Sequence, residues 1–402
     1  MTATTLPATA PVAVDLGLYP EIQKFGATDI SACFSCGTCS AICPMSQTDG
    51  TFPRRIIRYA QLGMKDALLS SKELWTCYQC GECSESCPTE ADPSEFMAAT
   101  RRYAIASYDK TRIARAMYTN PVVATAVAVV IALFFALFFL SSHGSMAADQ
   151  LLLWNFIPEE LVHTTGVVVM ALVFLAGIVG VVAMVRDVGA KEGVSVKDAL
   201  GSGAGLARSA RALWYAIGLE SFGQVRFRED CETDVASKAL PWYRRRGVVH
   251  MMVVWGFMGL FAATILDYGL ALINVKATGA PVPVWYPIRL LGTVAGASLV
   301  YGTTVLIVDR YRKANRSVTS SMPADWMLLA LLWVTAVTGF TIELALYLPG
   351  APVWGYWLFV VHVSVAMELI LLAPFMKLAH VIYRPIALFY VSLAQQAKGT
   401  TK

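Results

Sequence analysis

Charge is scarce in this chain. Only 15% of its 402 residues are Asp, Glu, Lys or Arg, against 56% hydrophobic, which is too few to clothe an ordinary soluble domain. The formal net charge is +4, and the basic residues sit beside apolar segments instead of alternating with aromatics, so nucleic-acid binding finds no support. Cysteine is nearly absent outside two short segments. Only Cys231 lies elsewhere, most simply a free thiol, which leaves no further thiol-rich stretch for a disulfide-reducing centre. Histidine occurs five times. The N-terminal stretch "MTATTLPATAPVAVDLGLYP" lacks a basic segment followed by an apolar one, so no secretory signal is read there and the first domain is expected to stay in the cytoplasm.

What the chain has in abundance is apolar sequence. Residues 1–119 are mixed and polar, whereas from Pro121 onward apolar stretches of at least eighteen residues recur, each enough to cross a hydrocarbon core of about 30 Å. Six spans are expected at 120–142, 161–186, 247–273, 285–308, 324–347 and 355–383, which divides the chain into an N-terminal domain (1–119) and a membrane domain (120–402). The connection 187–246 carries Arg186, Lys191, Lys197, Arg208, Arg211, Arg226, Arg228, Lys238 and Arg244 to Arg246 at or within its bounds; the one after the fourth span carries Arg310, Arg312, Lys313 and Arg316. The opposite connections offer only Lys276, with Arg289 just inside the fourth span. The positive-inside rule therefore places both termini and the loop 187–246 in the cytoplasm of a multi-pass inner-membrane protein. Within that loop "GSGAG" (201–205) reads as flexible and "LARSARALWYAIG" as an interfacial amphipathic helix or a solvated connector. In the first domain, "FPRRIIRYAQLGMKDALL" (52–69) has the spacing of a helix between the two cysteine segments.

Those segments, "CFSCGTCSAICP" and "CYQCGECSESCP", are two copies of C-x2-C-x2-C-x3-C-P, the run of two-cluster ferredoxins. Three thiolates two residues apart on a tight loop reach three irons of one cubane, while the fourth points away to the neighbouring cluster. The expected ligand sets are Cys33, Cys36, Cys39 and Cys87 for one [4Fe-4S] cluster, and Cys77, Cys80, Cys83 and Cys43 for the other. A zinc site needs no third Cys at this spacing, and disulfides are disfavoured in a reducing cytoplasm.

His143 falls in an outer loop. His362 and His380 share the expected sixth span, eighteen residues or five turns apart and so on one face, about 27 Å apart along the axis, with Pro374 a kink between them. At matching depths lie His250, just inside the third span, and His163, just inside the second. Two bis-histidine haem b sites follow as an expectation, His250 with His380 and His163 with His362. Arg244, Arg245, Arg246 and Lys377 are candidates to pair with haem propionates, though topological anchoring explains them too. Glu368, near the middle of the sixth span, is a candidate proton carrier to a quinone, and with Lys377 forms the expected catalytic pair. A transporter would show broken helices, internal repeats and several midplane charges; only Glu368 lies there. A passive anchor without a membrane cofactor is the other alternative.

The twin cysteine pattern with a helical insert resembles the small iron-sulfur subunit of heterodisulfide reductases, an α-helical ferredoxin fold. The C-terminal half, notably "RRRGVVHMMVVWGFMGLF" and the His362 to His380 spacing, resembles the cytochrome b membrane subunit of those enzymes and of respiratory nitrate reductase. The fusion is similar to the membrane subunit of the quinone-interacting membrane-bound oxidoreductase complex. The resemblance implies an all-α subunit of a quinone-dependent oxidoreductase, exchanging electrons with menaquinone and with cytoplasmic flavin and iron-sulfur subunits linked to adenylylsulfate reductase in sulfur metabolism. In one respect the chain departs from the nitrate-reductase cytochrome, which has a second histidine ten residues after the first; here that position is Leu260, so either His163 substitutes as the partner of His362 or the second haem is absent and one remains.

Overall fold

The computed structural model describes residues 13–46, 51–193, 203–231, 239–273, 275, 282–314, 321–350 and 352–397. All regular structure among them is helical. Six helices are long and apolar enough to cross a membrane: Pro121–Leu140, Glu159–Glu192, Arg246–Leu272, Pro287–Tyr311, Pro323–Ala345 and Val353–Phe375, here called spans one to six. Span one shows why its boundaries fall where they do. Asn120 accepts hydrogen bonds from the backbone N–H of Val122 and Val123, and Pro121 takes the first helical position, where no N–H is needed. Twenty uncharged residues then rise about 30 Å, one hydrocarbon thickness.

Neighbouring spans pack three on four, four on five, five on six, and six on one and two. Spans three and four approach through small residues: a Cβ at Gly256 would stand 2.7 Å from the backbone nitrogen of Leu299. This close backbone contact is the usual adhesive where lipid removes the hydrophobic drive. Tyr268 of span three stacks on His163 of span two at 4.1 Å between ring centroids, which brings the ends of the series together.

Three local expectations are corrected. The sixth span, expected as one helix over 355–383, leaves the α-helix at Leu372; two short 3-10 turns, Ala373–Phe375 and Lys377–Ala379, follow, and a new helix begins at His380 and runs to Ala397. Pro374 lacks the N–H that would continue the ladder, so His362 and His380 lie on separate helices. The insert 52–69 is two helices, Arg54–Gln61 and Lys65–Leu69, interrupted at Gly63, which takes φ 70° against the backbone of Asp15. In the long loop the helix begins at Gly203, inside the supposedly flexible stretch; residues 201–202 lie outside the described residues, as does the side chain of Cys231. That helix, Gly203–Leu213 with a π-helical continuation Trp214–Phe222, buries Ala212 against Tyr390, Leu393 and Ala394 and exposes Leu206, Leu213 and Trp214. It presents the apolar outer face of an interfacial helix.

The N-terminal domain and the spans share one core. Leu18, Ile22, Phe25, Ile56, Trp75, Phe96 and Tyr103 pack in the same cluster as Met184 and Val188 of span two, Ala324 of span five and Tyr383 and Ala387 of the last helix. Span two has 34 residues, about 51 Å, more than a bilayer requires. Its surplus projects beyond the membrane as a post for the domain: Lys191 donates to Ala67 O and Ser71 Oγ at 3.0 Å each, and Lys72 pairs with Glu192 at 3.0 Å. A second tie is ionic. Asp325, 3% exposed at the start of span five, faces Arg102 of the domain (3.4 Å), Arg310 at the end of span four (3.8 Å) and Lys377 after span six (3.3 Å).

Removing one member of a buried ion network costs about 3–5 kcal/mol because the remaining charges stay buried and uncompensated. Asp325→Asn is therefore expected to lower thermal stability by that order and to expose the N-terminal domain to limited proteolysis; an unchanged melting curve and digestion pattern would show that this network does not fasten the domain.

Candidate functional site: two cysteine loops on a histidine-bearing helix bundle

The two cysteine motifs adopt the same backbone. Ser35 and Gln79 are left-handed (φ 64° and 55°), as are Gly37 and Gly81 (φ 91° and 100°), so each second cysteine, Cys36 or Cys80, lies between two left-handed residues. Such alternation turns successive N–H groups to one side, forming a concavity suited to an anion. Each glycine also opens a short helix, Thr38–Ile42 or Glu82–Glu85, that presents the third cysteine from its first turn.

The thiols form two interleaved sets. Cys43, Cys77, Cys80 and Cys83 line one hollow, closed behind by Phe52, Pro53 and Met97. Burial pushes the Cys43 thiol up to about 12, with Cys77 and then Cys80 adding to the effect. The Cys39 thiol is likewise raised, first by burial and then by Cys33, Cys36 and Cys87. Each fourth cysteine thus neighbours the other motif's loop. Among the described residues no three His, Cys, Asp or Glu side chains converge closely enough to hold a single metal ion; the sulfurs of the second set stand around a space instead. Thiols this reluctant to ionise alone need adjacent cationic iron to exist as thiolates, and four cysteines set around a shared centre, too far apart to close on one ion, suit a cluster better than a single zinc.

Three arginines hold the second loop by its carbonyls. Arg101 donates to Leu74 O (2.7 Å) and Cys77 O (2.8 Å), Arg384 to Trp75 O (2.8 Å) and Thr76 O (3.1 Å), and Arg246 to Gln79 O (2.8 Å) and Cys80 O (3.2 Å). Only Arg101 belongs to the N-terminal domain. Arg246 precedes His250 by one helical turn and Arg384 follows His380 by one turn, so the loop carrying Cys77 and Cys80 is fastened beside both histidines. Arg384 also lies over the Tyr78 ring at 4.6 Å, and Tyr78 donates to Glu220 at 3.1 Å. Burial raises the Glu220 carboxyl, with Arg384 and Arg226 opposing. Trp75, 4.9 Å from the Tyr383 ring, completes the contact.

The four candidate histidines divide three to one. The carbonyl of Lys377 can only accept, so Nδ1 of His380 donates to it (2.6 Å) and Nε2 is left as the lone-pair nitrogen. His250 has Nδ1 against Gln224 Oε1 at 3.0 Å. Thr338 gives its hydroxyl proton to Val334 O (2.6 Å), so its oxygen accepts from Nδ1 of His362 (3.0 Å). A ring nitrogen anchored this way while the other stays open is the usual arrangement of a metal-binding imidazole. His362 packs on span five, where its Cε1 lies 3.0 Å from the Cβ that Gly339 lacks. His163 differs: its Nε2 faces Glu159 at 3.5 Å and its ring is stacked on Tyr268. Trp154 touches both His163 (6.0 Å) and Phe359 (5.3 Å), linking the layers of the two outer histidines. His143 is exposed.

The remaining candidates are placed as follows. Arg244 pairs with Asp309 at 2.8 Å, Arg245 has a buried Nε without a hydrogen bond, and Lys377 is taken up by Asp325. Glu368 is 2% exposed, and its Oε1 has no hydrogen-bond partner; one turn away the Ser364 hydroxyl is in the same state. The sequence reading missed Arg101, Arg384, Gln224 and Thr338. None belongs to a motif, and only their placement against the loop or the imidazoles reveals them.

Two family models match the chain. One, described as a 4Fe-4S dicluster domain, covers residues 29–91; the other, described as Citrate utilization protein B, covers 165–401. Among curated relatives, citrate utilization protein B of Escherichia coli is 31% identical over 150 residues, 37% of this chain and 38% of that protein. A subunit of the H(2):CoB-CoM heterodisulfide,ferredoxin reductase of Methanothermobacter thermautotrophicus is 36% identical over 62 residues, 15% of this chain and 34% of its own. An iron-sulfur subunit of the CoB--CoM heterodisulfide reductase of Methanopyrus kandleri is 36% identical over 56 residues, 14% of this chain and 29% of its own. The matched stretches thus span little more than a third of these relatives at most. No solved structure matches. The N-terminal segment is an iron-sulfur domain similar to these heterodisulfide reductase subunits, and, since the second model covers more than half of its length, the chain belongs to the citrate utilization protein B family.

Proposed function

We propose that the protein is the membrane electron-transfer subunit of an oxidoreductase complex, linking a cytoplasmic flavin-containing partner to the quinone pool, menaquinone being the expected substrate. In this reading residues 1–119 hold two [4Fe-4S] clusters and residues 120–402 hold haem b, with both termini on the cytoplasmic side of the inner membrane. The clusters and haem supply one-electron steps between two-electron partners. The chain's own residues supply placement. Cys33, Cys36, Cys39 and Cys87 bind one cluster and Cys43, Cys77, Cys80 and Cys83 the other. Gln224 and the Lys377 carbonyl orient His250 and His380 so that both Nε2 atoms serve one haem, and Thr338 does the same for His362 at a second. His163 is the proposed partner of His362 and must give up its contact with Glu159 to act as a ligand. Of the expected propionate partners, Arg245 alone has a buried Nε awaiting one. Glu368, assisted by Ser364, carries protons to or from quinone, and Lys377 acts by fixing the His380 turn through Asp325.

The observation that carries this reading is the pair of arginines, Arg246 and Arg384, that tie the Cys77–Cys80 loop within one helical turn of His250 and His380. Neither matched family names adenylylsulfate, so the proposal does not extend to the sulfur-metabolism setting expected from the resemblance.

Metal analysis of the purified protein should return about eight non-haem irons per chain, and reduced-minus-oxidised spectra a b-type band. His250→Ala and His380→Ala should each remove the same haem; unchanged haem content in both would refute their pairing. Glu368→Gln should lower quinone-coupled turnover by about a hundredfold or more, within the range of a lost general acid or base, while chemical reduction of the iron centres is unaffected. Turnover equal to wild type would remove Glu368 from the proton path.

A further inference from the structure

Away from the iron-sulfur loops, where the N-terminal domain meets the C-terminal end of span two, lies a hollow of about 310 Å³, at the lower end of the range of small-ligand sites. Its floor is apolar, formed by Phe25, Leu69 and Tyr108; its rim is charged. Four cations line it. Arg115 is paired with Glu21, and Arg186 stands 3.7 Å from Asp187. The half-buried Lys65 and the exposed Lys110 make no ion pair among the described residues, leaving the rim two positive charges in excess. Lys65 lies over the Tyr103 ring at 5.8 Å. Tyr103 is 2% exposed and lines the hollow, with its hydroxyl beside Lys65 and Ser107, so the lysine and the hydroxyl are gathered at one place on its wall.

The surroundings say what kind of anion fits. The hollow lies between the segment that leads into span one, with Lys110 and Arg115, and residues Ala183, Arg186 and Asp187 of span two. One helical turn towards the membrane from Ala183 and Arg186, on the same face, are Val179 and Val182, 49% and 61% exposed. A cationic hollow therefore continues into a bare apolar helix face, a pattern that suits a headgroup with acyl chains attached.

We infer that this hollow binds the phosphate headgroup of an anionic phospholipid, with Lys65, Lys110 and the Tyr103 hydroxyl as its ligands and the Val179–Val182 face of span two along its acyl chains. The bound lipid fills the seam between the N-terminal domain and the first two spans and so seats the domain on the bilayer. The inference is independent of the haem and quinone assignments.

The test uses the full-length protein in detergent, titrated with dioleoylphosphatidylglycerol, dioleoylphosphatidylcholine and inorganic phosphate and read by native mass spectrometry. Phosphatidylglycerol should bind at least tenfold more tightly than phosphatidylcholine, and inorganic phosphate should not displace it. Removing both lysines in K65A/K110A should weaken phosphatidylglycerol binding about thirtyfold, from the usual contribution of a basic residue near an anionic lipid; Y103F should weaken it about threefold to tenfold, the loss of one hydrogen bond. Equal affinity for the two lipids, or wild-type binding by K65A/K110A, overturns the inference. Displacement by inorganic phosphate also overturns it, in favour of a soluble anion.

Discussion

The structure depends on the docking of one loop. Residues 74–80 offer a row of backbone carbonyls that no continuing strand or helix satisfies, and three guanidinium groups from distant parts of the chain, Arg101, Arg246 and Arg384, do so instead. Charge-assisted hydrogen bonds of this kind are about twice as strong as neutral ones and fix direction as well as distance. Because two of the arginines belong to the helix bundle, the second cysteine loop cannot move independently of His250 and His380. The same contact places three positive charges around a site built for a negatively charged cluster, which favours its reduced form.

The rest of the architecture supports that seat. Span two overshoots the bilayer to carry Lys191 and Glu192 against the N-terminal domain, Asp325 gathers cations from three segments, and Trp75 packs on Tyr383. The interruption after span six has a use in this arrangement. The break at Pro374 separates span six from the helix that begins at His380, and on that new helix Arg384 reaches the loop and Tyr390 meets the helix Gly203–Leu213.

Much of this was legible in the sequence, and for identifiable reasons. Eight cysteines in two copies of a fixed spacing are a local signal, and six long apolar runs are another; both are written in consecutive residues. The expectation that Cys43 and Cys87 exchange between sets rests on the same spacing. The break at Gly63 and the end of span six at Leu372 were hidden because hydrophobic periodicity continues across them, although Pro374 marked the second. The clamp was illegible: Arg384 lies about three hundred residues from the carbonyls it binds, and backbone acceptors leave no trace in side-chain identity. Arg246 was noticed for its charge and given a different task, since proximity to a histidine in sequence says nothing of a loop arriving from another domain. The family comparison corrected emphasis as well, because the membrane half belongs with citrate utilization protein B while the cysteine segment is similar to the heterodisulfide reductase subunits.

The central claim is that the cysteine loops and the helix bundle form one conducting unit because Arg246 and Arg384 hold them together. Rapid-mixing reduction of the iron-sulfur centres, followed at the haem wavelengths, tests it most directly when wild type is compared with R246Q/R384Q at equal iron and haem content. The account predicts that the haem of the wild type follows the clusters promptly and that the double variant slows this step at least tenfold. Haem reduction at the same rate in both proteins would contradict it.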